Sequence, residues 1–205
     1  KAKEVGRQTH IAPLGEPIDE RSLLGSLDMT LRLEKNAYQE QLIAEQARLA
    51  GLLRDKRMRR HALVAVFEGN DAAGKGGAIR RVAAALDPRQ YRIVPIAAPT
   101  EEERAQPYLW RFWRHIPARG KFTVFDRSWY GRVLVERIEG FCSQADWMRA
   151  YGEINDFEEQ LHNAGVVVVK FWLSIDEQTQ LERFQEREQI PFKRFKITEE
   201  DWRNR

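Results

Sequence analysis

The stretch HALVAVFEGNDAAGKGGAIRR (residues 61–81) constrains the fold more than any other part of the chain. Residues 61–69 form a short continuous apolar run ending in glycine, which is typical of a buried parallel strand. A loop rich in glycine and alanine follows, and residues 78–86 then have the composition of a helix. This order of strand, loop and helix favours an α/β fold with the glycine loop at the carboxyl end of a strand.

The rest of the chain continues the same alternation, with three further strands and three further helices. The strands are predicted at 91–100, 121–131 and 166–174, and the helices at 101–116, 146–165 and 176–188. Strands that alternate with helices predict a parallel sheet with helices on both faces. Residues 31–57 predict one long amphipathic helix packed on this domain; a coiled-coil partner is the alternative, although the heptads are not sustained.

Composition excludes several classes of protein. The 205 residues carry 34 Lys and Arg against 31 Asp and Glu, a net charge of +3 that is too small to identify a partner. The basic run 54–60 is interpreted as a solvated helix end, with nucleic-acid binding as the less favoured alternative. A single cysteine, Cys142, excludes an internal disulfide and suits the cytoplasm. No apolar run approaches the roughly 20 residues of a membrane span, and residues 1–20 lack a signal-peptide pattern.

The loop itself matches the phosphate-binding pattern G-x-x-x-x-G-K through Gly69, Gly74 and Lys75. Its glycines let backbone N–H groups face an anion, and the following helix start adds positive charge. The residues predicted to bind phosphate are Gly69, Asn70, Ala72, Ala73, Gly74, Lys75, Gly76 and Gly77. Gly76 replaces the hydroxyl residue that usually binds the metal. Asp71 is predicted to supply a metal ligand instead; the alternative is a turn-forming aspartate that caps the loop.

The second group of candidate residues lies in FTVFDRSWYGR (residues 122–132), where Asp126 is placed at the carboxyl end of a strand and Arg127 follows it. A carboxylate at the end of a parallel strand is where a phosphate-loop enzyme places its acidic Mg²⁺ ligand. Arg127 and Arg132 present donors that suit phosphate geometry. The alternative for Asp126 and Arg127 is a local salt bridge or turn. Trp129 and Tyr130 are expected to pack rather than stack on a base.

A third basic segment, residues 182–196, is predicted as a lid that closes over phosphates. Arg183 and Arg187 lie on one helix face and would neutralise the transferring phosphoryl group. The segment continues with Lys193, Arg194 and Lys196. The alternative is a solvated helix whose charges pair with neighbouring glutamates. Arg111 or Arg114 is a further candidate for lining an anion channel. The histidines His10, His61 and His162 show no zinc-ligand spacing.

Three segments carry a resemblance to the polyphosphate kinases of the second type. They are EGNDAAGKGGAIRR, YLWRFWRHIPARGKFTVFDRSWYGRVLVERIEGF and KFWLSIDEQTQLERFQERE with PFKRFKITEEDWRNR. The resemblance covers about residues 28–205. It implies a P-loop kinase-like three-layer α/β/α sandwich with a basic helical lid. It also implies phosphoryl transfer between inorganic polyphosphate and a nucleotide.

The resemblance also assigns roles to individual residues. Asp71, Lys75, Asp126 and Arg127 are implied to be catalytic, and the two aspartates are implied to hold Mg²⁺, with Mn²⁺ as an alternative ion. Arg132, Arg183 and Arg187 are implied to bind phosphates, the last two from the lid.

The motifs FDRSWYGRVLVER and FWRHIP resemble the subgroup that phosphorylates AMP to ADP, which often carries two fused copies of the domain. Residues 1–27 would then be a connector and 28–205 one domain, truncated at its carboxyl end. A homo-oligomer without a specific nucleic-acid or membrane partner is expected. The first alternative is an ATP-dependent nucleoside monophosphate kinase, which usually keeps Ser or Thr where this chain has Gly76. The second is a non-catalytic phosphate-binding domain of a duplicated kinase.

Overall fold

A computed structural model describes residues 28, 30–191 and 199–203 of the chain. The predicted arm 1–27 lies outside the described residues, as do Lys193, Arg194 and Lys196 of the predicted lid. The chain divides into two units, Lys1–Arg32 and Leu33–Arg205. In the described part of the first unit, Thr30 donates its backbone N–H and its hydroxyl to Asp28, which forms a turn.

The second unit alternates strands and helices in the described residues. The strands are β1 (Ala62–Gly69), β2 (Tyr91–Pro95), β3 (Phe122–Asp126) and β4 (Val166–Leu173). The longer helices are α1 (Lys35–Arg54), α2 (Lys75–Ala83), α6 (Gln144–Asn163) and α7 (Glu177–Gln189), and the short ones are α3 (Glu101–Arg104), α4 (Trp110–Trp113), α5 (Val135–Ile138) and α8 (Glu199–Arg203). Two 3₁₀ turns span Lys56–Arg60 and Trp129–Arg132. No helix in this described portion is long and apolar enough to cross a bilayer.

The four strands form one sheet in the order β2-β3-β1-β4, and every neighbouring pair is parallel. This confirms the predicted α/β class with a central parallel sheet. β1 lies inside the sheet and is buried along almost its whole length, as its continuous apolar sequence predicts. β4 is an edge strand, and its outward row Val167, Val169 and Phe171 stays 41–43% exposed.

Alternate side chains of β1 enter two different cores, one on each face of the sheet. Val64 and Val66 pack with Phe157 and Leu161 of α6 and with Trp129. On the other face, a second cluster joins β1 to α1 and α2 through Leu63, Phe67, Leu49, Leu53 and Ile79. The sheet is therefore the middle layer between helices, as expected for a three-layer sandwich.

Some predicted boundaries are wrong for identifiable reasons. The predicted helix 101–116 is two short helices, because Pro107 lies between them and cannot donate a helical N–H. The predicted helix 31–57 begins at Lys35 and ends at Arg54, where Asp55 is extended and accepts the N–H of Arg57 at 2.8 Å. Each of these departures follows from a local backbone or capping interaction.

Candidate active site

The candidate site lies where the connections after two adjacent strands leave toward opposite faces of the sheet. β1 leads into α2 on one face, and β3 leads toward α6 on the other. Such a switch point leaves a crevice at the carboxyl ends of the two strands, where open α/β sheets bind ligands. The predicted loop follows β1, and Asp126 ends β3 beside Phe67 of β1. The fold thus brings the first two predicted groups of site residues to one place.

The loop backbone has an unusual conformation that frees several amides. Gly69, Gly74 and even Ala72 have positive φ angles, of 131°, 106° and 63°. Within the described chain, the backbone N–H groups of Gly74, Lys75 and Gly76 have no hydrogen-bond acceptor. Because the first N–H groups of a helix project from its start and carry its positive dipole end, this is an anion-binding geometry.

Gly69 is required for the loop to pass β4. A Cβ built on Gly69 would lie 1.8 Å from the carbonyl oxygen of Leu173, so no other residue fits without backbone movement. The next residue, Asn70, donates its N–H to the same Leu173 carbonyl at 3.2 Å and accepts the Ser174 hydroxyl at 2.9 Å. The start of the loop is therefore anchored to the end of β4.

Lys75 lies under the loop with only 11% of its side chain exposed. Its ammonium donates to the carbonyl oxygens of Gly69 at 2.6 Å and Asn70 at 3.0 Å, and it lies 3.8 Å from the Asp71 carboxylate. Burial lowers the pKa of Lys75 below its usual value, against the opposing effect of Asp71. A buried cation held this way gains when a phosphate replaces neutral carbonyls as its acceptor.

Asp71 is the acidic residue that the basic side chains of the site surround. Its carboxylate accepts a hydrogen bond from the Arg127 guanidinium at 3.1 Å. Arg127 itself has a φ of 64°, which is a strained conformation for a side chain of this kind, and its N–H donates to Phe67 at 3.0 Å. The Asp71 carboxylate therefore lies within ion-pair distance of both Lys75 and Arg127, and Asp126 is adjacent in sequence to Arg127.

A buried carboxylate that sequence reasoning missed supports this turn. Glu68 is 8% exposed and accepts the Ser128 hydroxyl at 2.7 Å. Burial raises the pKa of Glu68, and the Ser128 hydrogen bond and the charges of Lys75 and Arg127 act in the opposite direction. The bond ties the end of β1 to the residue after Arg127. A charged residue ending an otherwise apolar strand was the signal available in the sequence.

Helix α7 packs against the outer side of the loop. Arg183 donates to the carbonyl of Ala72 at 2.8 Å, and Gln180 donates to the carbonyl of Asp71 at 3.1 Å. Arg187 lies one turn further along the same helix and is half-buried. Arg183 thus contacts the loop, whereas its binding of phosphate and the closing motion of the predicted lid stay predictions.

Arg132 belongs to a second cluster beside the loop region. Its guanidinium pairs with Glu136 at 3.1 Å and lies 4.0 Å from the centre of the Tyr108 ring. Arg111 is buried, pairs with Glu103 at 3.2 Å and donates to the Ala97 carbonyl at 2.8 Å. Phosphate binding by Arg132 stays a prediction. The predicted lining of an anion channel by Arg111 conflicts with its buried ion pair to Glu103. Sequence reasoning also missed this ion pair.

The aromatic residues after β3 pack as predicted. Trp129 is fully buried, and its indole N–H donates to Glu158 at 3.0 Å. The Tyr130 hydroxyl donates to the same carboxylate at 2.7 Å. These contacts attach Trp129 and Tyr130, and with them the segment after Arg127, to helix α6.

A divalent cation fits Asp71 and Asp126 by the chemistry of its donors. Mg²⁺ usually keeps several waters and takes one or two carboxylates together with substrate phosphates, rather than a full protein cage. The described residues contain no cluster of three or more metal-binding side chains. Arg127 occupies one oxygen of Asp71, and the remaining lone pairs of the two carboxylates suffice for such a partial coordination.

Comparison with known proteins places the chain among polyphosphate kinases. The family model described as Polyphosphate kinase 2 (PPK2) matches residues 32–205. The chain is 78% identical over 199 residues to the Polyphosphate:AMP phosphotransferase of Pseudomonas aeruginosa, covering 97% of this chain and 40% of the relative. It is 82% identical over 195 residues to the enzyme of that name from Pseudomonas syringae pv. tomato, covering 95% and 39%.

A solved structure agrees with these matches. A crystal structure from Pseudomonas aeruginosa PA01 assigned to polyphosphate kinase 2 superposes with a TM-score of 0.86 at 81% identity, covering 89% of this chain and 39% of that one. The chain spans about 40% of the length of the curated relatives named above. Since the family model covers nearly the whole chain, the protein belongs to the polyphosphate kinase 2 family.

Proposed function

We propose that this site transfers the terminal phosphoryl group of inorganic polyphosphate to AMP and so produces ADP. The observation that supports it best is the set of amides at Gly74, Lys75 and Gly76 without acceptors among the described residues, in a loop that also holds the Lys75 ammonium through Gly69 and Arg127 through Asp71. This arrangement supplies positive charge and N–H donors for a chain of phosphates, and no protein nucleophile is needed.

The acceptor is proposed from the relatives. Both curated relatives described above are named for polyphosphate and AMP. The chain spans about 40% of their length, so the substrates and activity of the whole protein are part of the proposal. The homo-oligomeric state and the cytoplasmic location expected from the sequence also stay predictions.

The chemistry requires little from the protein beyond position and charge. An oxygen of the AMP phosphate attacks the terminal phosphorus of polyphosphate and forms a new P–O bond. The bond to the next phosphate breaks, and its electron pair leaves with the shortened polyphosphate. Lys75 and the loop amides would hold the phosphates at the transfer point, while Arg127 and Arg183 would neutralise charge that spreads over the phosphoryl oxygens.

Asp71 and Asp126 would hold the cation, for which we propose Mg²⁺ with Mn²⁺ as an alternative. A bound divalent cation supplies charge neutralisation between phosphates that would otherwise repel each other and both carboxylates. The Arg127 guanidinium keeps Asp71 oriented toward β3. Glu68 is excluded as a third ligand, because the Ser128 hydroxyl and burial hold it inside the protein.

The deciding experiment is a matrix of donors and acceptors. The protein is incubated with polyphosphate or ATP as donor and with AMP, ADP, GMP or GDP as acceptor, in the presence of Mg²⁺, and nucleotides are separated by ion-exchange chromatography. Formation of ADP from polyphosphate and AMP faster than any other product is the expected result. Omission of Mg²⁺ by chelation should stop it, and addition of Mn²⁺ should restore it.

Two outcomes would contradict the proposal in different ways. Transfer from ATP without transfer from polyphosphate would identify a nucleoside monophosphate kinase. Binding of polyphosphate without turnover of any nucleotide would identify a non-catalytic phosphate-binding domain.

A further inference from the structure

The amino-terminal edge of the sheet carries a second concentration of positive charge. The basic turn Lys56–Arg60 precedes β1, and Arg119 and Lys121 precede β3. These two segments adjoin, because the Gly120 N–H donates to the His61 carbonyl at 2.7 Å. This edge is opposite the candidate active site, and Lys121, just before β3, and Asp126, at its end, are separated by roughly 17 Å along the strand.

A pocket of about 390 Å³ opens at this edge, between the starts of β2 and β3. Its lining includes four cationic residues, Arg89, Arg92, Arg114 and Lys121, and no Asp or Glu among the described residues. Like charges that line one pocket repel each other, and an anionic ligand relieves that repulsion.

Within the described residues, two of these cations form no direct ion pair, although the pKa of Asp87 is lowered by hydrogen bonds from Arg89 and, to a smaller degree, by the charge of nearby Lys121. Arg89 pairs with Asp87 at 2.7 Å and Arg114 with Glu102 at 3.4 Å. In the part of the chain that the structure describes, neither Arg92 nor Lys121 has a carboxylate within 4.0 Å. The Lys121 ammonium is instead positioned by the Arg89 carbonyl at 2.8 Å.

Arg92 has unused hydrogen-bonding capacity. Its Nε lies 3.5 Å from the Thr123 hydroxyl, and its Nη2 lies 3.4 Å from the Arg114 carbonyl, so both bonds are long. Its other N–H donors have no acceptor among the described residues. Since a guanidinium offers a fixed fork of donors that matches phosphate oxygens, Arg92 is prepared for an anion of this type.

The chemistry of the pocket favours a phosphate chain over a nucleic acid. The aromatic residues in its lining, Tyr91 and Phe122, pack into the core cluster that contains Leu63. The pocket therefore presents charge without an aromatic platform on which bases stack.

We propose that this pocket binds a segment of inorganic polyphosphate distant from the phosphoryl group that is transferred. Arg92 and Lys121 would contact its phosphates, with Arg89 and Arg114 adding to the positive field. The inference rests on the proposed function for the identity of the ligand. A polymeric donor engages both edges of the sheet, whereas a short donor such as tripolyphosphate engages only the catalytic edge.

The test compares two double variants with the same change in net charge. Arg92→Gln with Lys121→Gln removes the two unpaired charges of the pocket while keeping polar side chains of similar length. Lys35→Gln with Arg48→Gln removes two exposed charges from α1 and serves as the control. Binding of long-chain polyphosphate is measured without nucleotide at several salt concentrations, and KM is measured for long-chain polyphosphate and for tripolyphosphate.

The pocket variant should bind long-chain polyphosphate roughly tenfold more weakly than the control, because two charged contacts of modest strength are lost. Its slope of log affinity against log salt should fall by about one for each cation removed. KM should rise for long-chain polyphosphate only, with kcat and the KM for tripolyphosphate unchanged.

Binding is read without turnover, so a failure of the proposed activity leaves this test intact. Equal binding of long-chain polyphosphate by the two variants would overturn the inference. A loss of single-stranded RNA binding that exceeds the loss of polyphosphate binding would also overturn it, since the pocket would then be a nucleic-acid site.

Discussion

The hydrogen bond between Ser128 and Glu68 permits a quantitative test of how the site is supported. Substitution of Ser128→Ala removes the 2.7 Å bond and leaves the Glu68 carboxylate buried without that donor. A hydrogen bond to a charged group contributes about 1.5–3 kcal/mol to stability. For a chain of this size, such a loss lowers Tm by about 3–12 °C.

The effect should depend on pH in a defined direction. Burial already raises the pKa of Glu68 above its usual value, and loss of the Ser128 bond should raise it further. A carboxyl group whose pKa is raised on folding favours the folded state when protonated. The loss of stability from ionising the buried Glu68 therefore develops as the pH rises from the ordinary pKa of Glu toward the higher pKa of the folded state. The Ser128→Ala variant should lose only about 0.5–1.5 kcal/mol at about pH 4, where Glu68 is neutral, and more at about pH 8, where it is charged.

The assay is chemical denaturation across this pH range, with Glu68→Gln as the matched background. Gln keeps the shape and a hydrogen-bond acceptor but not the charge, so Ser128→Ala should cost only about 0.5–1.5 kcal/mol there. An equal cost in both backgrounds, independent of pH, would refute the reasoning that the Glu68 charge needs the Ser128 donor.

Three further perturbations have expected outcomes. Gly69→Ala places a Cβ against the Leu173 carbonyl and should lower stability by more than about 3 kcal/mol. The Cβ of Gly74→Ala meets no atom within 4 Å, so this variant should lose about 1–2 kcal/mol from its positive φ alone. Equal stability of the two variants in urea would contradict this. Trp129→Ala removes a fully buried indole and should cost about 3–5 kcal/mol by thermal unfolding; a loss below about 1 kcal/mol would be inconsistent with its place in the core. Arg111→Met removes the ion-pair partner of Glu103, which then keeps only the Thr100 N–H among the described residues, and should cost about 3 kcal/mol in urea. Addition of Glu103→Gln should restore most of this stability, and no restoration would argue against the ion pair.

The central elements of the fold could be predicted from sequence because they depend on local patterns. The apolar run of β1 and the glycine loop after it determine a buried strand, a turn and a helix start. Pro107 lies between two stretches of helical composition, and it divides the one helix predicted there into two. The order of strands, in contrast, depends on which apolar faces pair at long range, and single segments do not reveal it.

The candidate site was predictable to the extent that its residues lie in motifs. Asp71, Lys75 and Arg127 were identified, and Asp71 forms an ion pair with each of the other two. Glu68 and Ser128 were missed because their bond joins residues 60 positions apart. Such partners become apparent only when the register of β1 and β3 is known.

The most direct test of the account is the effect of Asp71→Asn on ADP formation from polyphosphate and AMP. Asn keeps the size of the side chain but removes the charge that would hold the cation and that contacts Arg127. The account predicts a fall in kcat of at least about 100-fold, comparable to loss of an electrostatic group at a reacting centre. Asp156→Asn, on the exposed side of α6, should leave kcat unchanged. Near-parental turnover by the Asp71→Asn variant would contradict the central role assigned to this carboxylate.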